Sequence, residues 1–175
     1  ITANQAWMEE AEKQQLIISA SRQVFVKNSL TLAAQKPLPC LHKLQDLPKY
    51  IQAKQRLAIC GPGPVPCGLY AKDALRRAGV YADITDHLIF GKDAAATRRF
   101  LESGAVDLAI LYSSDITQSE KLHAVIEIND IKAVYEVARI STSKPEDFQH
   151  LMDFLRSTDI QKLLREKGFQ TGVQP

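Results

Sequence analysis

The chain carries two kinds of apolar pattern, short unbroken runs and longer stretches in which apolar residues recur at helical spacing, and their alternation predicts the architecture. Residues 6–16 are polar with apolar positions every third or fourth residue and predict a helix, while "NSLTLAAQ", 28–35, predicts a strand. After a break at "KPLPC", residues 45–53 predict a short helix with Pro48 in its first turn, where a missing N–H does no harm. "RLAIC", 56–60, is a buried strand. The next helix places Ala71, Ala74, Leu75 and Ala78 on one face and stops at Gly79, a residue that tolerates a left-handed cap.

A strand at 87–90 leads into "DAAATRRFLES", with Asp93 as N-cap and Gly104 as terminator. "VDLAILY", 106–112, is an apolar run of strand length. "LHAVIEI", 122–128, and "AVYEVARI", 133–140, predict two further strands. Two helices close the chain, one carrying Phe148, Leu151, Met152 and Leu155 on a face and the other Ile160, Leu163 and Leu164. Strands alternating with helices predict an α/β fold with a largely parallel sheet. The opening helix and the two closing helices flank this self-contained middle as though they belong to a second lobe.

Composition narrows the function. With 45% hydrophobic and 24% charged residues over 175 positions, the chain has the make-up of a globular protein with one long domain or two small lobes. Its 22 basic and 20 acidic residues nearly balance, and no basic run is interleaved with aromatics, so nucleic acid is not an expected partner. No apolar run approaches the roughly 20 residues that span a bilayer. The opening at Ile1, without a leader, points to a processed or excised chain. Cys40, Cys60 and Cys67 allow at most one bridge and leave one thiol over. The spacing of Cys60 and Cys67 is not that of a redox CxxC pair, and no Cys and His cluster completes a zinc site.

The chemistry is expected at two junctions where a strand gives way to a helix, 60–68 and 91–95, because ligands of open α/β sheets bind beyond the carboxyl ends of the strands. In "LAICGPGPVPCGLYAKDALRRAG", Gly61 and Gly63 are followed by Pro64, Val65 and Pro66, so the third glycine of a dinucleotide fingerprint is missing. A Walker loop is excluded as well, since the loop ends Cys-Gly-Leu and offers neither lysine nor magnesium-binding hydroxyl. A cysteine-dependent phosphatase would need an arginine six positions after its nucleophile, where Cys67 has Asp73 and Cys60 has Pro66. What survives is a set of backbone donors. Pro66 suits the first turn of its helix and leaves the amides of Cys67 and Gly68 to face an anion. Asp93 caps the second helix and leaves Ala94 and Ala95 with small side chains and accessible amides. Tyr112 ends an apolar strand before "SSD", which brings its hydroxyl to the same rim.

These segments, "GPGPVPCGLYAKDALRRAG", "KDAAATRRFLESGAVDLAILYSSDI" and the closing "FLRSTDIQKLLREKGF", together with "ITANQAWMEEAEKQQLI" and the crossing strand "SRQVFVKNSLTLAAQ", are similar to the periplasmic molybdate-binding proteins of ABC importers. The resemblance runs from Ala3 to Phe169. It implies a flytrap-type periplasmic solute-binding fold in which residues 31–137 form a complete second lobe and residues 1–30 and 138–175 the C-terminal part of a first lobe. It implies a binding protein without catalysis or cofactor, which captures molybdate or tungstate for a membrane ABC permease in the periplasm or outside the cell. The alternative is an oxyanion-sensing regulatory module on the same fold. The ligand groups it implies are the Cys67 N–H, the Ala94 N–H and the Tyr112 hydroxyl, with no direct metal ligand. Serine-bearing loops of the first lobe would lie before Ile1, so a fragment of a longer protein or self-association through the faces of Phe148 and Leu163 is expected. Cys67 stands where the family has a small alanine. That places a thiol beside the anion, and only the amide is expected to matter, so Cys67→Ala is expected to change binding little.

Overall fold

The computed structural model describes residues 1–52, 54–61 and 66–171. The expectations for Ala53, Gly63, Pro64 and Val65 lie outside the described residues. The chain divides into two compact units, a larger one of residues 29–132 and a smaller one of residues 1–28 and 133–175.

In chain order the helices are α1 (Gln5–Lys13), α2 (Leu47–Tyr50), α3 (Pro66–Arg77), α4 (Ala94–Glu102), α5 (Ser113–Thr117), α6 (Pro145–Arg156) and α7 (Thr158–Glu166). The strands are β1 (Gln23–Ala34), β2 (Leu57–Cys60), β3 (Leu88–Gly91), β4 (Leu108–Tyr112) and β5 (His123–Val137). They form one sheet in the order β3-β2-β4-β1-β5. β2 runs parallel to β3 and to β4, and β1 runs antiparallel to β4. The α/β class read from the sequence holds, with the parallel strands β3, β2 and β4 adjacent in the larger unit.

Strict alternation on these strands sends residues into two cores. Leu57, Ile59, Leu108 and Ile110 join Ala71, Ala74 and Leu75 of α3 on one face of the sheet. Ala58, Ala109 and Leu111 join Leu101 of α4 on the other. Both faces are covered, which is why "LAIC" and "LAIL" are uninterrupted apolar runs instead of alternating ones. Leu57, Leu75, Leu101 and Leu108 are fully buried, each worth about 1.5–3 kcal/mol relative to exposure. Two glycines end helices as their sequence positions require: Gly79 after α3 has φ +74° and Gly104 after α4 has φ +75°.

The pattern at 122–140 was expected to give two strands, yet β5 is continuous from His123 to Val137. The intervening Asn129 and Asp130 resemble a turn, but Ile128, Ile131 and Ala133 are buried and the strand runs through them. Residues 45–52 give less helix than expected, a single 3-10 turn at Leu44–Asp46 followed by α2.

The smaller unit is held by its own contacts. Val137, Met152 and Leu155 form a small core against which Phe25 and Phe148 pack, and Tyr135 meets Phe169 edge to face with ring centroids 5.8 Å apart. Arg22 bridges Glu12 and Glu136, each at 2.8 Å. The expected apolar exposure is divided: Phe148 is half-buried in this core, whereas Phe154 and Leu163 are exposed.

Candidate functional site

The register of the parallel strands brings three chain ends to one edge of the larger unit. Cys60 at the end of β2 pairs with Gly91 at the end of β3, and Leu57 and Ala58 pair with Leu108 and Ala109 of β4. The carboxyl ends of β3, β2 and β4 therefore lie side by side, and each is followed closely by a helix: α4, α3 and α5. The Gly61 N–H donates to the Gly91 carbonyl at 2.7 Å and extends the β2–β3 pairing one step past the strands.

At the first junction α3 begins with Pro66, so Cys67 and Gly68 occupy its second and third positions. Backbone N–H groups in the first turn have no acceptor inside their own helix. Cys67 is buried, and its side chain is not the thiol expected from the sequence: Cys60 and Cys67 form a disulfide, with Cα atoms 5.7 Å apart. The correction has a topological cause. α3 doubles back over the strand it follows, so its first turn returns to the end of β2. Only glycine fits at position 68, where a Cβ would overlap the Gly61 carbonyl oxygen and lie 2.9 Å from that of Cys60. The leftover cysteine is Cys40, which is exposed.

At the second junction Asp93 caps α4, its Oδ1 accepting the Ala96 N–H at 2.6 Å. Ala94 and Ala95 hold the first two helical positions, again without an intrahelical acceptor; Ala94 is half-buried and Ala95 exposed. Here the glycine sits on the strand. A Cβ on Gly91 would overlap Thr97 Oγ1 and lie 2.8 Å from the Thr97 nitrogen. Thr97 is fully buried; its hydroxyl donates to the Asp93 carbonyl at 2.8 Å and lies 3.6 Å from Cys60 Sγ. The sulfur at the first junction thus touches the first turn of the helix at the second.

Tyr112, half-buried, ends β4 and serves as N-cap of α5. Two features hold this turn. Ser113 Oγ lies 2.8 Å from both Ser29 Oγ and Thr31 Oγ1 of β1, and the Tyr112 N–H hydrogen-bonds the Asp115 carboxylate. Burial pushes the Asp115 carboxyl above its usual range, against the opposing pull of Arg98 and of that N–H. Its Oδ2 is buried without a hydrogen-bond partner among the described residues. Sequence reasoning singled out neither Thr97 nor Asp115. Asp115 sits three positions after the N-cap, where an acidic side chain reaches back to the cap N–H, a signal present in "YSSD". Among the described residues no group of His, Cys, Asp or Glu could hold a metal ion, and no helix is long and apolar enough to cross a membrane.

Helix N-termini at the carboxyl edge of a parallel sheet stand where open α/β folds bind their ligands. The family model of bacterial extracellular solute-binding proteins matches residues 1–170, and the chain belongs to that family. It is 27% identical to the molybdate-binding protein ModA of Escherichia coli over 97% of its length, spanning 68% of that protein. It is 28% identical to ModA of Haemophilus influenzae with the same coverage. Among solved structures it superposes on a substrate-binding domain from Clostridium difficile ascribed to a molybdenum ABC transporter, with a TM-score of 0.80 at 25% identity, covering 98% of this chain and 75% of that one. The resemblance to molybdate-binding proteins read from the sequence is borne out.

Proposed function

We propose that the chain binds a tetrahedral oxyanion, molybdate or tungstate, through the backbone N–H of Cys67, the backbone N–H of Ala94 and the Tyr112 hydroxyl, and delivers it to an ABC permease. The carrying observation is the pairing of Cys60 with Gly91, which sets the first turns of α3 and α4 after neighbouring ends of one parallel sheet. Helix N-termini stabilise anions because aligned peptide dipoles and unsatisfied N–H groups point outward. Neutral donors of this kind hold a dianion without a fixed counter-charge, which suits release as well as capture. The ModA relatives support molybdate over other oxyanions. No step of the reading is catalytic. Tyr112 supplies a hydrogen bond and Cys67 only its amide.

The Cys60–Cys67 bridge favours capture outside the cytosol over the alternative, an oxyanion-sensing regulatory module on the same fold, where that module works in a reducing compartment, because disulfides persist in oxidising ones. The test is calorimetric titration of the protein with molybdate, tungstate, sulfate and phosphate. Saturable binding of molybdate and tungstate, with sulfate and phosphate at least tenfold weaker, is expected. Absence of binding to any of the four would overturn the reading.

A further inference from the structure

The Cys60–Cys67 disulfide joins the last residue of β2 to the second residue of α3, the residue whose amide is assigned to the ligand. Three observations converge on it. The bridge closes a short loop over the junction, so the first turn of α3 cannot move away from the strand end. Gly68, next to Cys67, is seated against the carbonyls of Cys60 and Gly61 so closely that no side chain fits. Cys60 Sγ lies 3.6 Å from Thr97 Oγ1, and Thr97 is the fully buried residue whose backbone N–H closes the first turn of α4 on the Asp93 carbonyl at 3.0 Å. One sulfur atom therefore fixes the first turn of α3 covalently and packs on the first turn of α4.

The geometry points to the Cys60–Cys67 disulfide as a positioning element of the anion site, so that its reduction weakens oxyanion binding while the fold persists. This deepens the proposed function and rests on it. A binding site whose donors are backbone N–H groups has no side chain that can swing to compensate for a shift of the helix, so its affinity depends on how well the turn is held before the ligand arrives. Without the bridge, ligand binding has to order the turn as well as occupy it. Reduction by a dithiol breaks the Sγ–Sγ bond and adds two electrons and two protons, giving the Cys60 and Cys67 thiols, and the dithiol leaves as its own cyclic disulfide. The reduced pair remains folded because Gly61 N–H to Gly91 O and the apolar face of α3 do not depend on it. On this proposal Cys67→Ala, expected from the sequence to change binding little, weakens it, because the substitution keeps the amide and opens the bridge.

The experiment measures molybdate affinity by calorimetry for the oxidised protein, the same protein reduced with dithiothreitol, and the Cys60→Ala/Cys67→Ala variant. All three carry Cys40→Ser so that no other thiol can exchange, and circular dichroism is recorded in parallel. The expected result is about tenfold weaker binding in the reduced and double-variant proteins, equal to about 1.4 kcal/mol, with unchanged dichroism and full recovery on reoxidation of the reduced sample. Equal affinity in all three proteins would overturn the proposal. So would loss of dichroism in both the reduced protein and the double variant, which would make the bridge a general staple of the fold. An oxidised protein that binds no oxyanion would overturn the proposed function itself, a result distinguishable from the other two.

Discussion

The two junctions present the same feature, a helix N-terminus at the end of a parallel strand, but hold it by different means. At α4 the means are local and polar: Asp93 accepts the Ala96 N–H at 2.6 Å and Thr97 bonds back to the Asp93 carbonyl. At α3 the first helical residue is Pro66, and a covalent bridge ties the second to the strand. The close approach is solved in mirror fashion, with the indispensable glycine on the helix at α3 (Gly68) and on the strand at α4 (Gly91). A helix N-terminus at a strand end, the proposed anion site, is thus fixed at one junction by a side-chain cap and at the other by a cross-link, and the two fail under different conditions.

The comparison breaks most sharply at the glycines. Gly68→Ala forces backbone against backbone, so its cost should reach the upper part of the roughly 1–3 kcal/mol range for overpacking. Gly91→Ala meets the Thr97 hydroxyl and its nitrogen and should cost a comparable amount. Urea denaturation of each checks this, and a cost below about 0.5 kcal/mol for either would show that its junction gives way. On the proposed reading Tyr112→Phe removes one hydrogen bond to a charged ligand, worth about 1.5–3 kcal/mol. Oxyanion affinity should fall roughly ten- to a hundredfold by calorimetry.

Asp93→Ala, the polar counterpart of opening the disulfide, should cost about 1 kcal/mol of stability as a lost N-cap, read by thermal unfolding. Because the cap does not need an oxidised sulfur, that cost should be the same with and without dithiothreitol. Asp115→Asn gives the smallest effect. A carboxyl whose folded-state pKa is raised favours folding below its ordinary pKa and loses that contribution as pH rises through the raised value. Above that raised value the ionised, partly buried Asp115 is a cost, and there the asparagine variant should be the more stable by less than about 1 kcal/mol after solvent screening. The advantage should shrink towards pH 4 in parallel urea titrations.

Much of the larger unit was legible because its signals are local. Apolar runs gave β2 and β4, the Ala71, Ala74 and Leu75 face gave α3, and Asp93 and Gly104 bracketed α4. The candidate donors followed from where such helices must start. β5 reads as two strands because Asn129 and Asp130 carry turn chemistry, while the burial of Ile128 and Ile131 on either side of them belongs to the tertiary fold. The disulfide was illegible for a related reason. Three cysteines permit more than one pairing, and only the return of α3 over the end of β2 brings Cys67 to Cys60 instead of leaving a thiol beside the ligand. Thr97 was hidden because nothing local to α4 indicates that its hydroxyl lies near a sulfur on β2.

The most direct test of the central claim, that backbone amides at two helix N-termini grip the oxyanion, is amide NMR of the protein labelled with nitrogen-15 and titrated with molybdate. The N–H resonances of Cys67 and Ala94 should move downfield together and saturate at the calorimetric stoichiometry, while those in the last turns of α3 and α4 stay in place. Saturable molybdate binding with both of these resonances unmoved would contradict the account.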